Sequence, residues 1–122
     1  SSKVIYARNV AEFFLTQGRN AEDWAGVSDA EVIARLTAIK GIGEWTAEMF
    51  LIFHLMRPDV FPVKDLGVLK AMHLHCADMP LRGEKKWLSA AQYQSVAARW
   101  SPYRTVATWY LWRALDPVPV AY

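Results

Sequence analysis

Cysteine is nearly absent: Cys76 is the one thiol in 122 residues. That excludes a disulfide framework, a cysteine-rich zinc module and a four-cysteine iron–sulfur cluster. It fits a reducing intracellular compartment, the cytoplasm or the nucleoid if the source is bacterial. Glycine and proline are also scarce, six of each, which excludes collagen-like and low-complexity chains. The longest apolar stretch, Met49 to Met56, is interrupted by His54 and falls far short of the ~20 residues a bilayer crossing requires. No basic segment leading into an apolar one opens the chain, so no secretion signal is read and no membrane partner is expected. Charge of one sign is lacking too, since the net value is only +2. Its distribution is uneven: residues 1–63 carry six basic and eight acidic side chains, residues 64–122 eight and four. The basic second half permits a polyanionic partner without requiring one.

What is present is an ordinary globular balance, 53% hydrophobic and 21% charged, in a length that suits one domain over 1–122. The apolar periodicity is helical nearly throughout. Val10, Phe13 and Phe14 share a face between Lys3 and Thr16. Ser28-Asp29-Ala30-Glu31 and Ser89-Ala90-Ala91-Gln92 read as capping boxes that open two helices. Glu44 to Arg57 is apolar on most sides and so central. Asp65 to Met79 reads as another helix. Ser101-Pro102 reads as an N-cap with proline in the first turn, followed by the stripe Tyr103, Val106, Ala107, Tyr110, Leu111, Ala114. About six helices and no convincing strand make the class all-α.

The informative element is helix, Ile39-Lys40-Gly41-Ile42-Gly43, helix. Glycines around one apolar residue allow a tight reversal and close approach of a ligand to the backbone. The next helix begins at once, so its free N–H groups and positive dipole end favour a phosphate. Such contacts fix position along a nucleic acid without reading its sequence. The same spacing also serves a plain helical-hairpin turn with a glycine cap.

Leu36-Thr37-Ala38-Ile39-Lys40-Gly41-Ile42-Gly43-Glu44-Trp45-Thr46-Ala47-Glu48-Met49 resembles the hairpin of the helix-hairpin-helix DNA glycosylase superfamily. Phe61-Pro62-Val63-Lys64-Asp65-Leu66-Gly67 resembles its Pro-and-Asp loop. Trp100-Ser101-Pro102-Tyr103-Arg104-Thr105-Val106-Ala107, with the Trp-Tyr-Leu-Trp run ending at Trp112, resembles the C-terminal signature of the 3-methyladenine DNA glycosylase II branch. Lys40 stands where the hairpin commonly has proline. Members carry a further N-terminal helical region, so the resemblance implies that this chain matches their C-terminal half to two thirds.

The resemblance implies a hairpin at about 36–50 and a catalytic loop at about 58–66. It implies excision of an alkylated purine from double-stranded DNA, with Asp65 as the catalytic carboxylate. Breaking an N-glycosidic bond leaves positive charge on the sugar, which one ionised carboxylate can stabilise. A base that already carries positive charge leaves without a second carboxylate acting as acid. Trp45, Met49 and Trp112 would line the pocket for the flipped base. Lys40, Gly41, Ile42, Gly43 and Thr46, with Lys64 and Lys70, would contact DNA. Members that also cut the backbone carry a lysine where Trp45 stands, so a monofunctional, monomeric enzyme leaving an abasic site is implied. The three histidines show no ligand spacing, and no catalytic metal is expected. A Na⁺ or K⁺ held by the main chain of Thr37, Ile39 and Ile42 is the one ion the resemblance allows. Trp24, Trp87, Trp100 and Trp109 are read as core. Two other readings are a catalytically silent helix-hairpin-helix DNA-binding fragment and a helical interaction domain without a DNA role.

Overall fold

The computed structural model describes residues 2–16 and 21–115, which form helices and turns with no strand among them. They fall into two compact units, Ser1–Arg57 and Pro58–Tyr122.

The first unit contains α1 (Ser2–Thr16), a 3₁₀ turn (Ala21–Trp24), α2 (Asp29–Thr37) and α3 (Glu44–Met49), which runs straight into a π-helical turn (Phe50–His54). The Ser28 hydroxyl caps α2 by accepting from the Glu31 N–H at 3.2 Å. The reciprocal half of the expected capping box is replaced: the Glu31 carboxylate accepts from Arg35 Nε at 3.2 Å, the favourable i,i+4 pairing. Trp24, Val32, Leu36, Ala47, Leu51 and Ile52 form the buried core. On the expected face of α1, Phe13 packs on Trp24 and Phe14 on Phe50, with ring centroids 6.0 and 5.5 Å apart.

The helix starting at Glu44 does not stay α-helical to Arg57. The Leu55 N–H reaches the Phe50 carbonyl at 3.1 Å, and the Arg57 N–H reaches that of Leu51 at 3.0 Å. This wider turn accommodates Phe50 between Phe14, Trp24 and the stacked His54 ring, while Leu51 and Ile52 stay buried. Met56, at φ 55°, ends it. Arg57 then donates to the carbonyls of Trp24 (3.0 Å) and Val27 (2.9 Å) and to the Asp29 carboxylate (2.8 Å). That fastens the chain leaving the turn to the start of α2.

The second unit runs from a loop at 58–65 into α4 (Leu66–His75), a second loop, α5 (Ala90–Ala97) with a 3₁₀ turn (Ala98–Trp100), and α6 (Arg104–Leu115). α4 packs against α6. Phe61, Val63, Val68, Leu69, Met72, Tyr93, Val96 and Leu111 are buried together. The Ser89 capping box forms in full, with Ser89 Oγ accepting from the Gln92 N–H and Gln92 Oε1 from the Ser89 N–H. The Tyr93 hydroxyl accepts from the Leu88 N–H (3.0 Å) and meets His73 Nε2 at 2.7 Å. Burial lowers the His73 pKa, with Arg82 adding to the effect. α4 stops at His75 instead of Met79, because the backbone turns extended at Cys76, its C-cap.

α6 also departs from the sequence expectation. It starts at Arg104, after a cis Ser101–Pro102 bond, and the Arg104 N–H is capped by Asp59 from 45 residues upstream. Its buried residues are Thr105, Thr108 and Leu111, whereas Tyr103 is 63% and Tyr110 74% exposed. The threonines go inward because their hydroxyls bond inside: Thr105 Oγ1 accepts from the Val60 N–H at 2.8 Å, and Thr108 Oγ1 donates to the Arg104 carbonyl at 2.8 Å.

The hairpin glycines are unequal. Gly41 has φ +105°, and a side chain there would press its Cβ into the Tyr6 ring, 2.5 Å from the Tyr6 Cβ. Gly43 has an ordinary φ of −93° and open space where a Cβ would go. Gly41→Ala is therefore expected to destabilise the first unit by roughly 2 kcal/mol or more, from the left-handed backbone and the clash combined. Gly43→Ala is expected to cost about 0.5 kcal/mol, an N-cap preference alone. Urea unfolding of the two variants checks this, and equal losses would contradict it.

Candidate functional site

In the first unit the reversal 38–43 is held by the Ile39 N–H to the Leu36 carbonyl and the Ile42 N–H to the Ile39 carbonyl, both at 3.0 Å. Lys40, Gly41, Gly43 and Thr46 are exposed, and Ile42 is half-buried. The Gly43 carbonyl accepts the Ala47 N–H, so the helix starts directly at the glycine. Trp45 and Met49, four residues apart, share a face of this helix. Trp45 is 47% exposed, and Met49 is half-buried. Glu48, on the adjoining position of that face, is only 4% exposed. A carboxylic acid so buried is costly unless its surroundings compensate, and sequence reading passed over it inside an apolar helix.

In the second unit Asp65 caps α4. Its Oδ1 accepts from the Val68 N–H at 3.0 Å and from the Trp112 indole N–H at 3.1 Å. The structure thus brings Asp65 and Trp112 together across 47 residues. It assigns the indole a donor role that sequence reading, which took Trp112 as pocket wall, did not contain. Trp109 packs edge-on against Trp112, with ring centroids 5.4 Å apart, and so steadies the ring that donates. Trp24 is buried as expected, while Trp87, Trp100 and Trp109 are half-buried. Lys64 and Lys70 are exposed. Among the described residues no group of His, Cys, Asp and Glu could hold a metal ion, and no helix is long and apolar enough to cross a membrane.

No protein-family model matches the chain. It is 42% identical over 93 residues to DNA-3-methyladenine glycosylase 1 of Schizosaccharomyces pombe, covering 75% of this chain and 38% of that protein. The crystal structure of a DNA-3-methyladenine glycosidase from Bacillus halodurans superposes with a TM-score of 0.75 at 37% identity, over 94% of this chain and 50% of that one. A 3-methyladenine DNA glycosylase of Schizosaccharomyces pombe, solved in complex with abasic DNA, gives the same score at 34% identity, over 97% and 56%. The chain shares the helical fold of these 3-methyladenine DNA glycosylases. It spans about half the length, or less, of the relatives it matches.

In this helix-hairpin-helix chain the loop that delivers Asp65 is fixed from α6. Asp59 Oδ1 and Oδ2 accept from Arg104 Nε (2.7 Å) and Nη2 (3.0 Å), and Oδ2 also accepts from the Ser101 hydroxyl (2.8 Å). The Thr105 N–H donates to the Pro58 carbonyl at 3.0 Å. Further along the loop, the Asp65 N–H closes a turn onto the Pro62 carbonyl at 2.9 Å. Nothing local in the sequence marks Asp59 as the partner of Arg104.

The Arg104 hydrogen bond, above all, lowers the Asp59 pKa from 3.8 to about 2. A depressed carboxyl pKa stabilises the fold fully above the unfolded value and progressively less as pH falls toward the folded one. Stability is therefore expected to drop between about pH 4 and pH 2 in wild type, with Asp59→Asn flattening that part of the profile. The variant is also expected to lose about 2 kcal/mol at pH 7, the scale of charge-assisted hydrogen bonds. Urea unfolding across that range checks both, and an unchanged acid profile would contradict the assignment.

Proposed function

We propose that this chain supplies the catalytic portion of a monofunctional DNA glycosylase, hydrolysing the N-glycosidic bond of alkylated purines of the 3-methyladenine type and leaving an abasic site. On this reading the two units are parts of one glycosylase domain. The observation that carries it is Asp65, whose Oδ1 sits between a helix-start N–H and an indole N–H in a chain whose relatives are named for this activity. Both donors hold that oxygen in place. An ionised carboxylate is what an oxocarbenium-like sugar requires.

The damaged base is cationic before cleavage and departs as a neutral purine with the electron pair of the broken bond, so the carboxylate stabilises the sugar and orients water without a partnering acid. The exposed face of Trp45, with Met49 beside it, suits a cationic purine, an attraction worth about 1–2 kcal/mol when desolvated, and in the second unit the Trp112 indole offers a face of the same kind. Trp45 offers no amine for a Schiff base, which leaves hydrolysis as the reaction. The amides at Gly41–Gly43, helped by Lys40 and Thr46, would hold a backbone phosphate, with Lys64 and Lys70 adding contacts. The Ile39 carbonyl uses one lone pair on the Ile42 N–H and keeps a second for a monovalent ion shared with the Thr37 and Ile42 carbonyls. The partner is duplex DNA with the base flipped out, bound by a monomer inside the cell.

Asp65→Asn is expected to slow excision from methylated duplex by at least about 100-fold while affinity for abasic duplex stays within about threefold. Single-turnover kinetics and fluorescence anisotropy measure the two, and a variant that excises at the wild-type rate would overturn the role of Asp65. Gly43→Ala is expected to weaken binding to abasic duplex by about tenfold, because its new methyl occupies the approach to the phosphate. A chain that binds DNA but excises nothing would favour the silent binding fragment.

A further inference from the structure

Gly67 lies in the first turn of α4, where no backbone constraint calls for glycine and where alanine is the better helix former. Its environment supplies a reason. A Cβ built there would lie 3.2 Å from Asp65 Oδ1, 3.6 Å from Leu115 Cδ1 and 3.8 Å from Trp112 Cδ1. The first of these is closer than carbon and oxygen comfortably pack, and it falls on the oxygen that accepts both N–H groups. The two other neighbours belong to the α6 surface that presents the indole.

We propose that Gly67 is a positioning residue: its missing side chain leaves the space in which the Asp65 carboxylate and the Trp112 indole meet. This inference rests on Asp65 being the catalytic carboxylate. A methyl at 67 cannot be absorbed by Oδ1 without lengthening the indole bond or turning the carboxylate, because the Val68 N–H holds the same oxygen from the helix side. A sub-ångström displacement at the reacting carboxylate is costly for rate even where the fold is untouched. Two effects of opposite sign follow from one methyl group. The helix gains from alanine, while the carboxylate loses its seat.

The test is Gly67→Ala in the full chain beside wild type, Asp65→Asn and Asp65→Ala. The expected result is a Tm between those of wild type and Asp65→Ala, unchanged affinity for abasic duplex, and a single-turnover excision rate reduced about 10- to 100-fold. In ¹H–¹⁵N spectra the Trp112 indole resonance is expected to move in Gly67→Ala toward its position in Asp65→Ala. Wild-type excision by Gly67→Ala, or an indole resonance that stays in place, overturns the proposal. So does a rate loss accompanied by a Tm below that of Asp65→Ala, which is the mark of a packing defect beyond the carboxylate–indole pair. If Asp65→Asn itself excises normally, the functional reading fails instead. If neither protein excises anything, the indole resonance still decides whether Gly67 holds the pair.

Discussion

One carboxylate oxygen, Asp65 Oδ1, ties the second unit together at its functional end. It accepts the Val68 N–H in the first turn of α4 and the indole N–H of Trp112 near the end of α6. Each is a charge-assisted bond of the kind worth about 1.5–3 kcal/mol. One satisfies a helix-start donor with no intrahelical partner, and the other buries an indole without leaving its nitrogen unpaired. The same pair fixes where negative charge stands. Capping α4 and the catalytic role proposed for Asp65 therefore draw on one contact.

The support behind that oxygen is layered. Asp59 grips Arg104 with both carboxylate oxygens, and Thr105 exchanges hydrogen bonds with the 58–60 segment. The loop is thereby anchored to α6 at one end and passes into α4 at the other. α6 thus presents the donor and also holds the strand of chain that carries the acceptor. Trp109 braces the indole from the side. An exposed loop without such ties would let the carboxylate wander by more than the tolerance of a reacting geometry.

The hairpin of the first unit divides its work between two glycines. Gly41 is demanded by the fold, through its backbone angle and the Tyr6 ring lying against it. Gly43 is demanded by nothing within the described residues, which leaves its open face for whatever approaches the start of α3. Spacing alone reads both glycines as equivalent.

Much of this was legible in the sequence. Helical periodicity fixed the class, because buried faces repeat at 3.6 residues whatever the topology. Ser28 and Ser89 announced their helices, since a cap is a contact between residues three apart. The motifs around Gly41–Gly43, Asp65 and Trp112 pointed to the family. What remained hidden was carried by contacts between residues far apart in the chain, or by space. The capping of α6 by Asp59, the inward turn of Thr105 and Thr108 against the exposed Tyr103 and Tyr110, and the donor role of Trp112 all depend on which segments the fold makes neighbours. The π-turn at Phe50–His54 arises from aromatic packing against α1 and Trp24. A glycine is silent in a sequence, and only the tertiary structure tells a backbone need at Gly41 from a carboxylate's need for room at Gly67.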